Sequence, residues 1–200
     1  YPLLRKRLMY YAKAEEFSHL LMVGDTGVGK TTAARILCGD DAIEYDCTKT
    51  NSKGDMERIV KGTTTLTLWG KPRLIILDEF HRCREDAQSV FNKMMEDGGD
   101  RNTLVLCVNN IDAVAAPIVS RCSTLRFDVG VAHPKTGDFV IYPHVGLTKG
   151  EWIKELKRVG EIVAKKAGYS PTEEQLDIVA SNVVYIVDTR RYVRELEEQI

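Results

Sequence analysis

Leu20-Leu21-Met22-Val23-Gly24-Asp25-Thr26-Gly27-Val28-Gly29-Lys30-Thr31-Thr32 is the stretch around which the chain is organised. An apolar run, Leu20 to Val23, breaks at Gly24, and glycines recur at 27 and 29. Lys30, Thr31 and Thr32 then open a segment of helix formers, Ala33 to Leu37. Gly24, Gly29, Lys30 and Thr31 stand where the pattern G-x-x-x-x-G-K-[ST] requires them. The chemistry explains these residue types. A phosphate chain carries several negative charges and needs many short-range donors. Glycines let the backbone of Gly24, Asp25, Thr26, Gly27, Val28 and Gly29 curl so that successive N–H groups point inward, with no Cβ blocking the approach. The loop runs into a helix N-terminus at Lys30, Thr31 and Thr32, where unpaired N–H groups and the positive dipole end favour an anion. Lys30 adds a mobile charge for the β- and γ-phosphates, and the Thr31 hydroxyl can ligate Mg²⁺. A plain glycine turn between strand and helix is the alternative, and it leaves the Lys-Thr pair unexplained.

A second stretch supplies what this loop lacks. Residues 73 to 79 read Arg-Leu-Ile-Ile-Leu-Asp-Glu. Four apolar residues in a row suit a strand buried on both faces of a parallel sheet. Asp78 and Glu79 then arrive at its C-terminal edge, where ligands of such sheets bind. One carboxylate can hold the Mg²⁺ shell, and the next can polarise a water for attack on the γ-phosphate. Alone the pattern is weak, since many strands end this way. Downstream of a phosphate loop it gains weight, because the loop needs a metal partner.

Outward from these two stretches, strand and helix alternate. The pattern predicts an amphipathic helix over residues 3 to 17, strands at 19–23 and 42–47, and a helix capped by Ser52 over 55–60. Thr63 to Trp69 is β-branched and alternating, which predicts a strand or extended segment. A helix over 86–96, ended by Asp97-Gly98-Gly99, precedes a buried strand at 103–108 that delivers Asn109 and Asn110 to the same edge. A short helix around Pro117 and a strand at 124–127 follow. This alternation predicts an α/β sandwich with a parallel sheet between helices over residues 1–128. Residues 129–146 read as a linker or hairpin. Residues 147–200 read as a small helical domain, with helices over 152–167, from Ser170 onward and from Asp188 onward.

Composition narrows the function classes. The 200 residues allow one or two domains with a sizeable core. A net charge of −1 argues against a coat of basic residues for nucleic acid and leaves room for a local basic patch. The basic cluster Arg5, Lys6, Arg7 and Lys13 reads as a solvated helix face, with a polyanion contact as the alternative. Five cysteines stand singly at 38, 47, 83, 107 and 122, with no C-x-x-C, so reduced thiols in a cytoplasmic compartment are expected. In a viral protein this is the host cytoplasm. His81 and Cys83 lack a second ligand pair and read as solvated residues at a helix start. No run of about eighteen apolar residues occurs, and no signal peptide precedes the core.

Together these residues resemble the AAA+ ATPases, and within them the sliding-clamp loaders. Phe17 to Leu21 leading into the glycine loop looks like the start of a clamp-loader core, and Leu74 to Glu79 like its Walker B strand. Ala87 to Glu96 is similar to the family's central helix, A-Q-x-A-L-R-R-x-M-E. Asn109, Pro117 and Ser120-Arg121-Cys122 match the run from sensor 1 to the S-R-C motif, which is specific to clamp loaders. Asp188-Thr189-Arg190-Arg191 resembles the start of the sensor 2 helix. The resemblance covers about residues 17–127 and again 186–200, and its flavour is that of the large subunits of T4-like phages. Walker B ends Asp-Glu-Phe rather than Asp-Glu-Ala. An adenine-cradling segment ahead of the first helix, a zinc module and a collar after Ile200 do not appear. The chain is then either a fragment or an ATPase that assembles differently.

The resemblance implies a DNA-stimulated ATP hydrolase with ATP and Mg²⁺ at its site. It implies that Asn109 senses the γ-phosphate or positions water, against the alternative of a strand cap. Arg121 would be an arginine finger acting in trans, against an ordinary surface ion pair. Arg190, rather than Arg191, would sense nucleotide from the lid of its own subunit. Gln88 and Lys93 would couple the ATP site to DNA, where the residues alone read as helix surface. Lys49, Lys53, Arg82 and Arg84 are candidates for DNA phosphate contacts or for a solvated face. The implied partners are primer–template DNA bound without regard to sequence, a sliding clamp, and other loader subunits in a ring or spiral. No membrane partner is expected. The alternative function is an AAA+ ATPase that regulates transposition or antiphage defence on DNA without a clamp. A non-hydrolysing structural subunit is the third reading, and intact Lys30, Asp78 and Glu79 argue against it.

Overall fold

Five short segments pair into one sheet, the three central ones rich in apolar residues. They are β1 (Leu20–Val23), β2 (Ile43–Asp46), β3 (Arg73–Asp78), β4 (Asn102–Val108) and β5 (Ser123–Arg126). The structure is a computed structural model that describes residues 2–14, 16–65, 73–96, 102–128, 130–132, 139–141, 145, 147–166, 168 and 170–183. The strand order is β2-β3-β4-β1-β5, and all four pairings are parallel. A parallel neighbour requires a crossover, and helices supply it. α2 (Lys30–Cys38) joins β1 to β2, and α3 (Lys53–Thr65) lies between β2 and β3. α4 (Glu85–Glu96) precedes β4, and α5 (Ala116–Arg121) precedes β5. The order places the carboxyl ends of β3, β4 and β1 side by side. Residues just past those ends therefore meet at one edge of the sheet, whatever their separation in sequence.

Register sorts the central strands into two apolar faces. Leu21 pairs with Leu106, and Ile75 with Leu104. These side chains form one core with Met56 and Ile59 of α3, Phe91 of α4 and Ile118 of α5. Leu20, Met22, Ile76, Val105 and Cys107 face the other way and are buried as completely. α2 lies against β3 and β4, with Ala34 and Cys38 buried. Burial on both faces is why these strands read as continuous apolar runs. The five cysteines are free thiols. Burial pushes the Cys38 thiol up to about 11. A hydrogen bond with Cys83 and burial push Cys47 up, so neither is a reactive thiolate near neutral pH.

Helix starts follow the capping rules. The Ser52 hydroxyl lies 2.6 Å from the Asp55 carboxylate, and the Asp55 N–H donates back to it at 3.3 Å, which closes a box at the start of α3. Glu85 and Asp86 occupy the first turn of α4 and Lys93 its last, the polarity a helix dipole favours.

Two expectations need correction. Thr63 to Thr65 belong to α3 rather than to a strand. Propagation of a helix already nucleated and anchored by Met56 and Ile59 outweighs the β preference of three threonines. Residues 66–69 lie outside the described ones. The first helix, α1 (Pro2–Tyr11), stops well short of Phe17. It buries Leu4 but leaves Leu3, Met9 and Tyr10 exposed, so it is less amphipathic than its spacing suggested.

The described residues sort into two compact units, one of Lys6–Gly24 with Lys30–Phe127, the other of the remainder. In the second, β6 (Gly130–Ala132) and β7 (Phe139–Ile141) pair antiparallel. α6 (Lys149–Lys166) packs against α7 (Glu173–Val183). Thr148 caps α6 through Glu151, and Thr172 caps α7 through Gln175. Lys157 of α6 pairs with Asp177 of α7. The predicted helix from Asp188, Arg190 included, lies outside the described residues. No helix among the described residues is long and apolar enough to cross a membrane.

Candidate functional site

The glycine loop leaves β1 at Gly24 and enters α2 at Lys30. Gly27 and Gly29 hold φ of 84° and 93°, which an L side chain rarely adopts. A Cβ on Gly29 would meet nothing within 4 Å, so the backbone angle rather than space demands glycine there. Asp25 and Thr26 are exposed and Val28 is buried. Thr32 is exposed on the first turn of α2.

Lys30 is only 6% exposed. A buried ammonium requires acceptors, and it donates to the Gly24 carbonyl at 2.6 Å and to Asn109 Oδ1 at 2.9 Å. Gly24 ends β1 and Asn109 follows β4, so the lysine ties together the ends of two neighbouring strands. Thr31, one residue on, sends its hydroxyl to both oxygens of Asp78 at the end of β3, 3.0 Å each. Asp78 Oδ1 also accepts the Glu79 N–H at 3.1 Å.

Glu79 has φ 54° and ψ 34°, the sole non-glycine residue with positive φ among the described ones. That posture costs on the order of 1–2 kcal/mol and turns the chain sharply into a 3₁₀ turn, Phe80–Arg82, with the Arg82 N–H on the Glu79 carbonyl at 2.8 Å. Phe80 is fully buried and meets Phe91 edge to face at 5.9 Å, which anchors the turn. The Glu79 carboxylate lies 3.3 Å from His81 Nε2 and 3.9 Å from Arg82 Nε.

Lys30, Thr31, Asp78, Glu79 and Asn109, singled out from three separate stretches, thus converge on one sheet edge. Thr31 and Asp78 bring a hydroxyl and a carboxylate together, a pair of hard oxygens that could hold a metal ion. Among the described residues no three His, Cys, Asp or Glu side chains cluster as a metal cage. An oxygen pair of this kind suits Mg²⁺, which takes one or two protein ligands and completes its shell with water and phosphate.

Other candidates fall elsewhere. Arg121, at the end of α5, gives its guanidinium to the Pro117 carbonyl and to Glu96 of α4, each at 2.8 Å. Lys49, Lys53, Arg82, Arg84 and Lys93 are exposed. Gln88 is 4% exposed and not a helix-surface residue. Its amide nitrogen donates to the Cys83 and Ala113 carbonyls at 3.1 and 2.9 Å, and its oxygen accepts the Ala115 N–H at 2.8 Å. It thereby fixes the segment after Asn109 to the segment after Glu79.

The expectation that His81 and Cys83 are solvated is overturned. The His81 side chain is 13% exposed and Cys83 is 5% exposed. The left-handed turn at Glu79 brings His81 against the Asn109 backbone just past β4 and Cys83 against Cys47 just past β2. A histidine three residues past the strand's aspartate was the available signal, but its neighbours in sequence do not reveal its neighbours in space.

The model of the ATPase family associated with various cellular activities (AAA) matches residues 20–129. The replication factor C small subunit of Natronomonas pharaonis is 34% identical over 131 residues, covering 61% of this chain and 40% of that protein. The sliding-clamp-loader large subunit of Escherichia phage RB69 is 29% identical over 170 residues, covering 79% of this chain and 52% of that protein. The chain thus spans about half the length of these curated relatives, or less. Among solved structures, a Thermotoga maritima RuvB Holliday junction branch migration motor superposes with a TM-score of 0.71 at 20% identity, covering 97% of this chain and 59% of that one. At that identity the likeness speaks to the fold alone.

Proposed function

The chain belongs to the AAA family of ATPases, and from that premise we propose that it is a clamp-loader subunit, using ATP to open a sliding clamp and place it on primer–template DNA. One observation carries this reading. Lys30, Thr31, Asp78 and Asn109 interlock at one sheet edge, in a chain similar over 79% of its length to a protein named a sliding-clamp-loader large subunit. The curated relatives favour it over a regulator of transposition or antiphage defence.

In this reading the glycine loop wraps the phosphates and Lys30 exchanges Asn109 Oδ1 for phosphate oxygens. Thr31 and Asp78 would hold Mg²⁺, which would supply charge neutralisation at the phosphates. Glu79 orients and polarises the attacking water, and Asn109 positions it against the γ-phosphate. Arg121 leaves Glu96 to reach the γ-phosphate of the next protomer. An exposed pair is worth about 0–1 kcal/mol, so the exchange costs little. Arg190 reads the nucleotide from a helical lid within residues 147–200, joined by the 129–146 linker or hairpin to a core of residues 1–128. Lys49, Lys53, Arg82 and Arg84 contact DNA phosphates without reading sequence. The protein would work in the cytoplasm, or in the host cytoplasm for a viral protein.

The test is ATP turnover with primer–template DNA and a sliding clamp added separately and together. Stimulation by both, greatest when combined, is expected. Stimulation by DNA with no response to any clamp would favour the regulator reading instead.

A further inference from the structure

We propose that His81 is a positioning residue, which fixes the carboxylate of Glu79 and ties it to the backbone of Asn109. The inference rests on the hydrolytic reading of the site and concerns a side chain that reading leaves without a task.

The geometry is a short chain of contacts. The Asn109 N–H donates to His81 Nδ1 at 3.4 Å. An Nδ1 that accepts carries no proton, so the proton of the neutral ring sits on Nε2. Nε2 faces Glu79 Oε2 at 3.3 Å, where that proton is donated to the carboxylate. The ring is enclosed, with the side chain 13% exposed. Burial holds its pKa below the usual histidine range. Glu79 and Asp78 oppose that effect, and Arg82 and Lys30 reinforce it. A neutral ring with a fixed tautomer results. Asn109 enters the same cluster twice, through its side chain on Lys30 and through its backbone on His81.

The consequence is mechanical. Glu79 lies at the head of a strained turn, and its carboxylate needs a lateral support to stay aimed at one place. Arg82 is exposed and stands 3.9 Å away, so the enclosed imidazole is the closer and stiffer support. Movement of Asn109 on meeting a γ-phosphate would pass through the imidazole to Glu79, linking nucleotide recognition to placement of the base. A positioning role affects turnover rather than binding, because no atom of His81 is asked to touch ATP.

The experiment compares His81→Leu and His81→Gln with wild type in the full chain and its assembly. Leucine removes both bonds. Glutamine keeps an acceptor for Asn109 and a donor for Glu79. His81→Leu should lower kcat by about tenfold to a hundredfold, the range of a misplaced catalytic group, with KM for ATP little changed. His81→Gln should recover most of kcat. In parallel, nitrogen NMR of wild-type His81 should find Nδ1 unprotonated and Nε2 protonated, and Glu79→Gln should shift the Nε2 resonance. Wild-type kcat in His81→Leu, failure of glutamine to rescue a folded variant, or a proton on Nδ1 overturns the role. A wild type that turns over no ATP is distinguishable from these results. It sinks the hydrolytic reading and the positioning role with it.

Discussion

The ammonium of Lys30 lies 2.9 Å from Oδ1 of Asn109, a residue 79 positions further along the chain. That contact joins the start of α2 to the end of β4, and the same ammonium donates to the Gly24 carbonyl just past β1. Lys30→Ala should therefore cost nucleotide affinity first. Removing a buried, hydrogen-bonded charge partner costs about 2–5 kcal/mol, so ATP should bind at least about thirtyfold more weakly. Isothermal titration with ATP checks this, and unchanged affinity would refute the role given to Lys30. Lys30→Arg should not rescue, because a planar fork cannot replace a compact ammonium in that space.

Glu79→Gln isolates chemistry from binding. The amide keeps the size and the contact with His81 but cannot polarise water as a carboxylate does. ATP affinity should stay within about twofold, while turnover should fall by a factor on the order of 10² or more. Steady-state turnover with DNA present, set beside a binding titration, separates the two effects. Equal losses in both would mean that the carboxylate is structural.

Gln88 is expected to matter for stability before it matters for coupling. Gln88→Leu leaves the Ala115 N–H and the Cys83 and Ala113 carbonyls without their amide partner. Unpaired buried groups cost about 1–3 kcal/mol each, with partial relief by water where the segment opens. A net loss of about 2–4 kcal/mol should lower Tm by roughly 5–15 °C. A melting curve within about 2 °C of wild type would contradict this account of the residue.

The parts of this molecule legible in the sequence are those governed by local rules. β1, β3 and β4 are apolar runs bounded by glycine, acidic residues and asparagine, and burial on both faces leaves them no other reading. The loop residues Gly24 to Thr31 announce themselves because phosphate recognition needs glycine angles and a cation at fixed spacing. What stayed hidden depends on tertiary contact. Thr63 to Thr65 follow the helix that Met56 and Ile59 anchor, not their own preference. Gln88 has the sequence surroundings of a surface residue, yet the segment after Asn109 folds over it. His81 reads as solvated because nothing in sequence reveals that Glu79 adopts a left-handed turn. Arg121 reads as a finger by its motif, while Glu96 holds it within its own chain.

Arg121 also carries the most direct test of the central claim, that this chain hydrolyses ATP in a shared site between protomers. Arg121→Ala should leave ATP affinity of the isolated chain nearly unchanged, since its contacts are with Pro117 and Glu96 rather than with Lys30 or Asp78. Turnover of the assembly should fall by a factor on the order of 10³ or more. The decisive measurement is ATP turnover in mixtures of Arg121→Ala with Glu79→Gln, each inactive alone. Mixed assemblies then contain sites where the Arg121 of a Glu79→Gln protomer meets the intact Glu79 of its neighbour. Partial return of activity, peaking near equal proportions, is the result expected. If both variants assemble and mixing restores nothing, Arg121 acts within its own chain or only structurally, and the claim of a shared site is contradicted.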